Sequence, residues 1–244
     1  MIATDNQTVA DMVVEDFARA AVFEKHQIDY CCNGKRTLQE VCEQKGLSVA
    51  QLTAELDEVH RSADTSDSRE WSQAPLAKLA KHIVDRHHSY LRTTLPSIAQ
   101  KLEKVGQAHG ANHGPMLAKV AHEYRGLVAE LVPHMQKEEM ILFPAIERLE
   151  EAQKRGTPPP PAPGGTLNNP IRMMEHEHDS VGVVLKVIRE VTGDYTLPAD
   201  ACVTFGALYA QLEELETDLH HHIHLENNIL FPRAAELEGQ LVGR

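Results

Sequence analysis

Apolar residues recur every three or four positions along most of the chain, which is the period of an α-helix that buries one face. No run alternates apolar and polar residues in the way of a half-buried strand. The pattern therefore predicts an all-α protein. It places four long helices, enough for an antiparallel four-helix bundle, at about residues 75–105, 115–153, 170–193 and 199–238.

Shorter helices are predicted near the N-terminus. Thr37 with Glu40 and Ser48 with Gln51 have the spacing of a capping box, and Gly46 stands where a helix would end, which gives two short helices between about residues 37 and 60. Another helix is expected from near Thr8. We predict a small helical domain over residues 1–60, a polar linker over 61–74, and the bundle over 75–240.

A proline-rich stretch at residues 156–165 interrupts the bundle sequence. Such a stretch is stiff and cannot enter a packed bundle. It could separate two domains, but one pair of helices cannot bury its own apolar face, whereas two pairs can close on each other. We therefore interpret the stretch as a crossover within one domain.

The composition excludes several functions. The 244 residues carry a formal charge of -12, which argues against binding to nucleic acid or to anionic membranes, since both need clustered Lys and Arg. No apolar stretch reaches membrane-spanning length, and the first residues do not resemble a signal peptide. Four cysteines in so long a chain do not suggest a disulfide framework, so we expect a cytoplasmic protein.

Histidine is unusually frequent, with 15 residues against one Trp, and imidazole is the commonest metal ligand in proteins. Two histidines belong to an internal repeat. One copy runs from His134 through Glu138 to Leu-Phe-Pro144, and the other runs from His222 through Glu226 to Leu-Phe-Pro232. A spacing of four residues puts His and Glu on one helical face, one turn apart.

Both His-Glu pairs share their helical face with leucines and isoleucines. Burying such polar groups costs several kcal/mol each, and metal coordination would offset that cost. A histidine on an equally apolar face precedes each pair, His88 by 46 residues and His178 by 44. Neighbouring histidines leave open which imidazole binds in each cluster: His87, His176, His220, His221 and His224.

Six candidate ligands result, and they resemble the mixed imidazole and carboxylate sites of helix bundles that hold paired metal ions. No cysteine accompanies them, which disfavours structural zinc and favours two iron ions. If each ion takes two histidines and shares both glutamates and one bridging oxygen, one position on each stays open for a small molecule. The set is His88, His134, Glu138, His178, His222 and Glu226.

The sequence resembles the hemerythrin-like proteins, and within them the repair-of-iron-centres family. The resemblance rests on Asp29-Tyr-Cys-Cys-Asn-Gly34, on both repeat copies, and on Glu177-His178-Asp179. It implies a bacterial stress protein that helps to restore iron-sulfur clusters damaged by nitric oxide or peroxide, by donating iron or by handling nitric oxide. It also implies that the four histidines are terminal ligands and that both glutamates bridge an oxo-bridged iron pair.

The expected partners are damaged iron-sulfur proteins, with nitric oxide or oxygen as small ligands. The sequence leaves open whether the protein forms a homodimer. Competing hypotheses are an enzyme that reduces nitric oxide or oxygen at the open positions, and a sensor or storage module. No catalytic residue is predicted. The oxygen-carrying hemerythrins have five-histidine sites, whereas only four histidines match here, which disfavours reversible oxygen storage.

The adjacent Cys31 and Cys32 are poorly placed to form a disulfide with each other. They are either buried small apolar residues or a thiol site that contacts an acceptor protein, iron or nitric oxide, and the sequence favours neither. Cys42 and Cys202 are expected to be structural.

Overall fold

The computed structural model describes residues 7–62 and 71–242, and within these ranges the regular secondary structure is helical. Extended pairing there is limited to an isolated antiparallel bridge between Thr8 and Thr37. The all-α prediction is confirmed. Across the same ranges, no helix combines the length and the apolar character needed to cross a membrane.

Within residues 7–62, the structure has four short helices. The predicted capping box of the third is present, since the Thr37 hydroxyl accepts from the Glu40 N–H and the Glu40 carboxylate accepts from the Thr37 N–H. That helix ends at Gly46, whose φ of 67° is a left-handed conformation that glycine adopts without strain. The helices are α1 (Val9–Glu15), α2 (Ala20–Lys25), α3 (Leu38–Lys45) and α4 (Val49–Ser62), with a 3-10 turn at Phe17–Arg19.

Parts of the segment predicted as a linker, residues 61–74, are helical in the structure. Helix α4 continues to Ser62, and residues 71–73 are helical again. Residues 63–70 of the predicted linker lie outside the described residues. The Arg233 guanidinium donates to the carbonyl oxygens of Trp71 and Ala74, so the end of this segment is held by hydrogen bonds.

The helices from Leu76 onward have between 8 and 49 residues, and a π-helical turn joins them in three places. The helices are α5 (Leu76–Ile83), α6 (Ser89–Lys137), α7 (Phe143–Arg155), α8 (Asn168–Val191), α9 (Val203–Leu225) and α10 (Phe231–Val242). The π-turns are Val84–His88 before α6, Glu138–Leu142 before α7, and Glu226–Leu230 before α10.

Helix α6 combines parts of two predicted helices and contains Pro96, Pro115 and Pro133. It is not straight, because the Tyr124 hydroxyl donates to the Leu95 carbonyl at 2.7 Å. In a straight helix, residues that are 29 positions apart would be separated by about 44 Å. The chain therefore doubles back inside α6, in the interval that contains Gly106, Gly110 and Gly114. The predicted interruption before Pro115 falls in this reversal.

The proline-rich stretch links α7 to α8 without a long helix of its own. Gly156 follows the end of α7 with a φ of 64°, and a single 3-10 turn forms at Pro163–Gly165. Helix α8 begins at Asn168, so Pro170 falls in its first turn, where a missing N–H costs no hydrogen bond.

The chain packs as two compact units. The terminal unit comprises Met1–Ala80, Leu149–Pro159 and His220–Arg244, and the central unit comprises Lys81–Arg148 and Pro160–Leu219. Each unit has a buried apolar core. The terminal core includes Phe23, Leu38, Leu56, Leu230 and Phe231, and the central core includes Leu91, Ile98, Leu127, Leu131, Leu185 and Leu212.

Candidate metal centre

Four of the six predicted ligands lie in the central unit. His88 ends the first π-turn, His134 lies in the last turns of α6, Glu138 begins the second π-turn, and His178 lies in α8. Each of these side chains is at most 2% exposed. Burial of four ionisable groups needs compensation from partners or from a cation.

The carboxylate of Glu138 lies between two of these histidines. Its Oε2 atom is 3.4 Å from His88 Nε2, and its Oε1 atom is 3.3 Å from His134 Nε2. His134 Nε2 is in turn 3.1 Å from His178 Nε2. The two oxygens of one carboxylate therefore face two different imidazoles, and a third imidazole joins one side.

These spacings fit metal coordination. Two imidazole nitrogens bound at about 2.1 Å and at right angles on one ion would be about 3.0 Å apart, close to the 3.1 Å between His134 and His178. His134, Glu138 and His178 offer ligand atoms that all lie within 4.8 Å of one another, and so do His88 and Glu138. Imidazole and carboxylate donors without sulfur suit iron or manganese better than structural zinc.

Carboxylates outside this set orient two of the imidazoles. His88 Nδ1 is 2.6 Å from Glu139 Oε1, and His134 Nδ1 is 2.8 Å from Glu177 Oε2. A carboxylate only accepts hydrogen bonds, so Nδ1 donates in both rings, and Nε2 of each ring lies toward Glu138. Such an arrangement prepares both imidazoles to bind a cation.

Cationic side chains stabilise these outer carboxylates. Arg92 pairs with Glu139, and Lys137 pairs with Glu177. Partial burial alone would raise the pKa of Glu177, but the hydrogen bonds from Lys137 and His134 lower it below its usual range. These four residues carried no predicted role. The only local signals were that Glu139 follows Glu138 and that Glu177 precedes His178.

A π-turn accompanies three of the predicted ligands. The Phe143 N–H bonds the Glu138 carbonyl, and the Phe231 N–H bonds the Glu226 carbonyl, each five residues earlier. In both copies the irregularity begins at the glutamate, six residues before Pro144 and Pro232. Proline has no N–H, so it cannot donate the helical hydrogen bond to the carbonyl four residues before it. In both copies the residues just before the proline form a π-turn, which is wider than an α-helical turn.

The other two predicted ligands, His222 and Glu226, lie in the terminal unit. Their exposed fractions are 1% and 0%. His222 Nε2 is 3.0 Å from Glu226 Oε1, across one helical turn. This second copy of the motif therefore brings its two donor atoms together in the same way as the first.

The neighbouring histidines have other surroundings. His87 Nδ1 is 3.1 Å from Asp218, and His220 Nδ1 is 2.7 Å from Glu24. His221 packs edge-on against Phe17, and His176 is exposed. His224 Nδ1 lies 3.0 Å from the Asn228 amide. These surroundings favour His88, His178 and His222 over their neighbours as ligands.

The paired cysteines lie in a tight loop of the terminal unit, residues 29–34, which we call the thiol loop. Asp29 Oδ1 accepts from the backbone N–H groups of Cys31, Cys32 and Asn33 at 3.2, 2.9 and 3.3 Å. Cys31 Sγ is 3.5 Å from Asp29 Oδ1 and 3.7 Å from Cys32 Sγ. Cys31 is buried and Cys32 is half-buried. Neither cysteine forms a disulfide.

The thiol loop depends on a close backbone approach at Gly34. A Cβ atom there would lie 2.3 Å from the Tyr30 carbonyl oxygen and 2.7 Å from Ala10 Cβ.

The pKa values of the Asp29 and Cys31 side chains are shifted in opposite directions. The hydrogen bond to Cys32, together with burial, raises the pKa of the Cys31 thiol well above its usual range. Burial would raise the pKa of Asp29, but hydrogen bonds from Asn33 and from the Cys32 N–H lower it.

Two asparagines attach the thiol loop to the last π-turn. The Asn227 amide donates to the Cys31 carbonyl at 3.3 Å. The Asn228 amide lies 3.2 Å from the Tyr30 carbonyl and 3.4 Å from the Cys31 carbonyl. Both asparagines directly follow Glu226, so the turn that begins with a predicted ligand also holds the thiol loop. No pattern in the local sequence predicted this contact.

The other two cysteines differ from each other. Cys42 is buried in α3, as expected of a structural residue. Cys202 is exposed and directly precedes α9, and its structural role stays a prediction. A hydrogen bond with His109, with further hydrogen bonds from the Phe205 and Thr204 N–H groups, lowers the pKa of Cys202 to about 7.

Comparisons with known proteins find matches along most of the chain. Residues 79–234 match the family model described as the hemerythrin HHE cation-binding domain, and residues 5–60 match the ScdA_N model, a domain of unknown function. The iron-sulfur cluster repair protein YtfE of Yersinia pseudotuberculosis serotype IB is 37% identical over 230 residues, which is 94% of this chain and 96% of the relative. YtfE of Yersinia pestis strain Pestoides F shows the same identity and coverage.

Proposed function

The chain belongs to the hemerythrin-like family of iron-sulfur cluster repair proteins, and from this premise we propose that it repairs damaged clusters by holding and donating iron from a di-iron centre. Binding of iron is the role that the family implies. The count of two ions and the ligand set are our own proposal. The proposed ligands are His88, His134, Glu138, His178, His222 and Glu226.

The position of Glu138 is the observation that carries the proposal. Its two oxygens face different histidines, His88 at 3.4 Å and His134 at 3.3 Å, and a carboxylate with this arrangement can bridge two ions. His134 and His178 would then serve one ion, and His88 the other. The internal repeat supports an equivalent bridging role for Glu226, whose carboxylate lies 3.0 Å from His222 Nε2.

The protein's own residues would keep such a centre open for exchange. When bound, two iron ions would supply a releasable ferrous pool and a coordination position for nitric oxide. Glu139 and Glu177 hold the imidazoles of His88 and His134 with Nε2 directed at Glu138. Because Arg92 and Lys137 balance these outer carboxylates, metal loss leaves the ligands oriented.

The proposal is tested by loading the full chain with iron and adding it to an iron-sulfur enzyme that has been inactivated with nitric oxide. We expect about two irons per chain by elemental analysis, as the paired arrangement requires, and recovery of enzyme activity together with loss of iron from the chain. The matched control is Glu138→Gln, which keeps the side-chain shape and removes the bridging charge.

Three outcomes would contradict the proposal. One is a chain that holds zinc or one iron as isolated. Another is full iron loading without recovery of the damaged enzyme. The last is sustained consumption of nitric oxide in the presence of a reductant, beyond the amount of iron present, because that would show an enzyme and not a donor.

A further inference from the structure

The side chains of the thiol loop form a second cluster of potential ligands, separate from the proposed di-iron ligands. We propose that Asp29, Cys31 and Cys32 bind one divalent transition-metal ion through two thiolates and a carboxylate. The ion that we assign to the site is Fe²⁺ in transit to or from the di-iron centre. The assignment of iron rests on the proposed function, whereas the site itself rests on the spacing of its donor atoms.

That spacing matches a tetrahedral ion. With metal–sulfur bonds of about 2.3 Å and a metal–oxygen bond of about 2.1 Å, tetrahedral angles place two sulfurs about 3.8 Å apart and a sulfur and an oxygen about 3.6 Å apart. The observed separations are 3.7 Å between the two Sγ atoms and 3.5 Å between Cys31 Sγ and Asp29 Oδ1. All three residues offer ligand atoms within 4.8 Å of one another.

The donor set indicates the class of ion. Two sulfurs disfavour Mg²⁺ and Ca²⁺, which prefer oxygen, and a carboxylate beside the sulfurs suits Fe²⁺, Co²⁺ or Zn²⁺. On binding, each thiol releases its proton to water and the sulfur lone pair forms the bond to the ion. Three protein ligands leave one tetrahedral position open, which is typical of sites that exchange a ligand and not of structural sites.

Hydrogen bonds hold the backbone of the thiol loop at the residues that carry the proposed ligands. Asp29 Oδ1 fixes three consecutive backbone N–H groups, and Asn227 and Asn228 hold the carbonyls on the opposite side of the peptide chain. The half-buried side chain of Cys32 provides access from solvent. The donors are therefore preorganised and reachable, and they are attached to the turn that begins with Glu226.

The test is a titration of the iron-loaded full chain with Co²⁺, followed by difference absorption. Thiolate-to-cobalt charge transfer reports sulfur ligands only, and the proposed di-iron ligands include no sulfur. We expect saturation at one Co²⁺ per chain, loss of about half of the band in Cys32→Ser, where one of two thiolates remains, and its complete loss in the Cys31→Ser, Cys32→Ser double variant. Asp29→Asn should weaken Co²⁺ binding about tenfold.

Cys202→Ser is the matched control, because it removes an exposed thiol that lies near His109, and it should leave the absorption unchanged. Helix content by circular dichroism verifies that each variant is folded, and Cys32→Ser changes only a half-buried side chain. The site is contradicted if Co²⁺ gives no charge transfer, if the double variant keeps it, or if Cys202→Ser abolishes it.

The same variants separate this inference from the proposed function. If Co²⁺ binds as expected but the wild-type chain does not repair a damaged enzyme, the proposed function fails and the metal site stands. If the double variant holds normal iron and repairs at the wild-type rate, the role in iron transit is overturned. A normal iron content with repair slowed at least about tenfold would support that role.

Discussion

The two His-x-x-x-Glu segments have the same local geometry but different surroundings. Both begin a π-turn at the glutamate and end in Leu-Phe-Pro. In the first segment, Glu139 follows the motif glutamate and lies 2.6 Å from His88 Nδ1. In the second segment, Asn227 and Asn228 follow, and both donate to backbone carbonyls of the thiol loop.

The difference shows how one residue type changes what a repeated motif can do. A carboxylate only accepts hydrogen bonds, so Glu139 can orient an imidazole N–H. An amide NH₂ donates, so asparagine can hold the carbonyls of an approaching loop. We infer that the first copy is specialised for tight ligand orientation, and that the second copy is specialised for attaching the cysteine-bearing domain.

The largest effect on iron binding is expected from substitution of the glutamate that both copies of the motif contain. Glu138→Ala and Glu226→Ala should each weaken iron binding by at least about 100-fold, because each removes a proposed bridging ligand and not an outer partner. Iron per chain after dialysis against a chelator measures this. Equal losses would support equivalent bridging roles. Full retention of iron by Glu226→Ala would contradict the role inferred from the repeat.

A smaller effect should separate the two copies. Glu177→Ala removes the partner of His134 Nδ1 and should weaken iron binding about 10- to 100-fold, the usual cost of losing an outer carboxylate. Asn227→Ala is the counterpart from the second copy and should change iron affinity little, since its amide contacts the Cys31 carbonyl. Competition with a chromophoric chelator compares the two variants. Equal weakening would remove the distinction that we draw.

The smallest effect concerns the thiol loop. Asn228→Ala removes the amide that lies near the carbonyls of Tyr30 and Cys31. Each neutral hydrogen bond contributes about 1 kcal/mol, so amide exchange in residues 29–34 should accelerate by roughly tenfold or somewhat more. Mass spectrometry after hydrogen exchange measures the change. Glu139→Ala is the control and should leave exchange in this loop unaltered, while Asn228→Ala should keep its iron.

Much of the fold could be predicted because its signals are local. The helical period, the capping box at Thr37 and the glycines before Pro115 each act within a few residues of themselves. The π-turns could not be predicted in the same way. Two of them begin at the buried Glu138 and Glu226 and precede Pro144 and Pro232, whereas the turn at Val84–His88 has no such proline, so they are a matter of packing and not of periodicity.

The candidate site likewise has features that local sequence predicts and features that depend on packing. The sequence by itself determined the donor types, the four-residue spacing of His and Glu, and the repeat, because a helix converts that spacing into a shared face. Only the tertiary structure decided that Glu177 orients His134 and that Asn227 holds a carbonyl 196 positions away. Those partners lie on other elements, and hydrogen bonds form between atoms that packing brings within about 3 Å, whatever their separation along the chain.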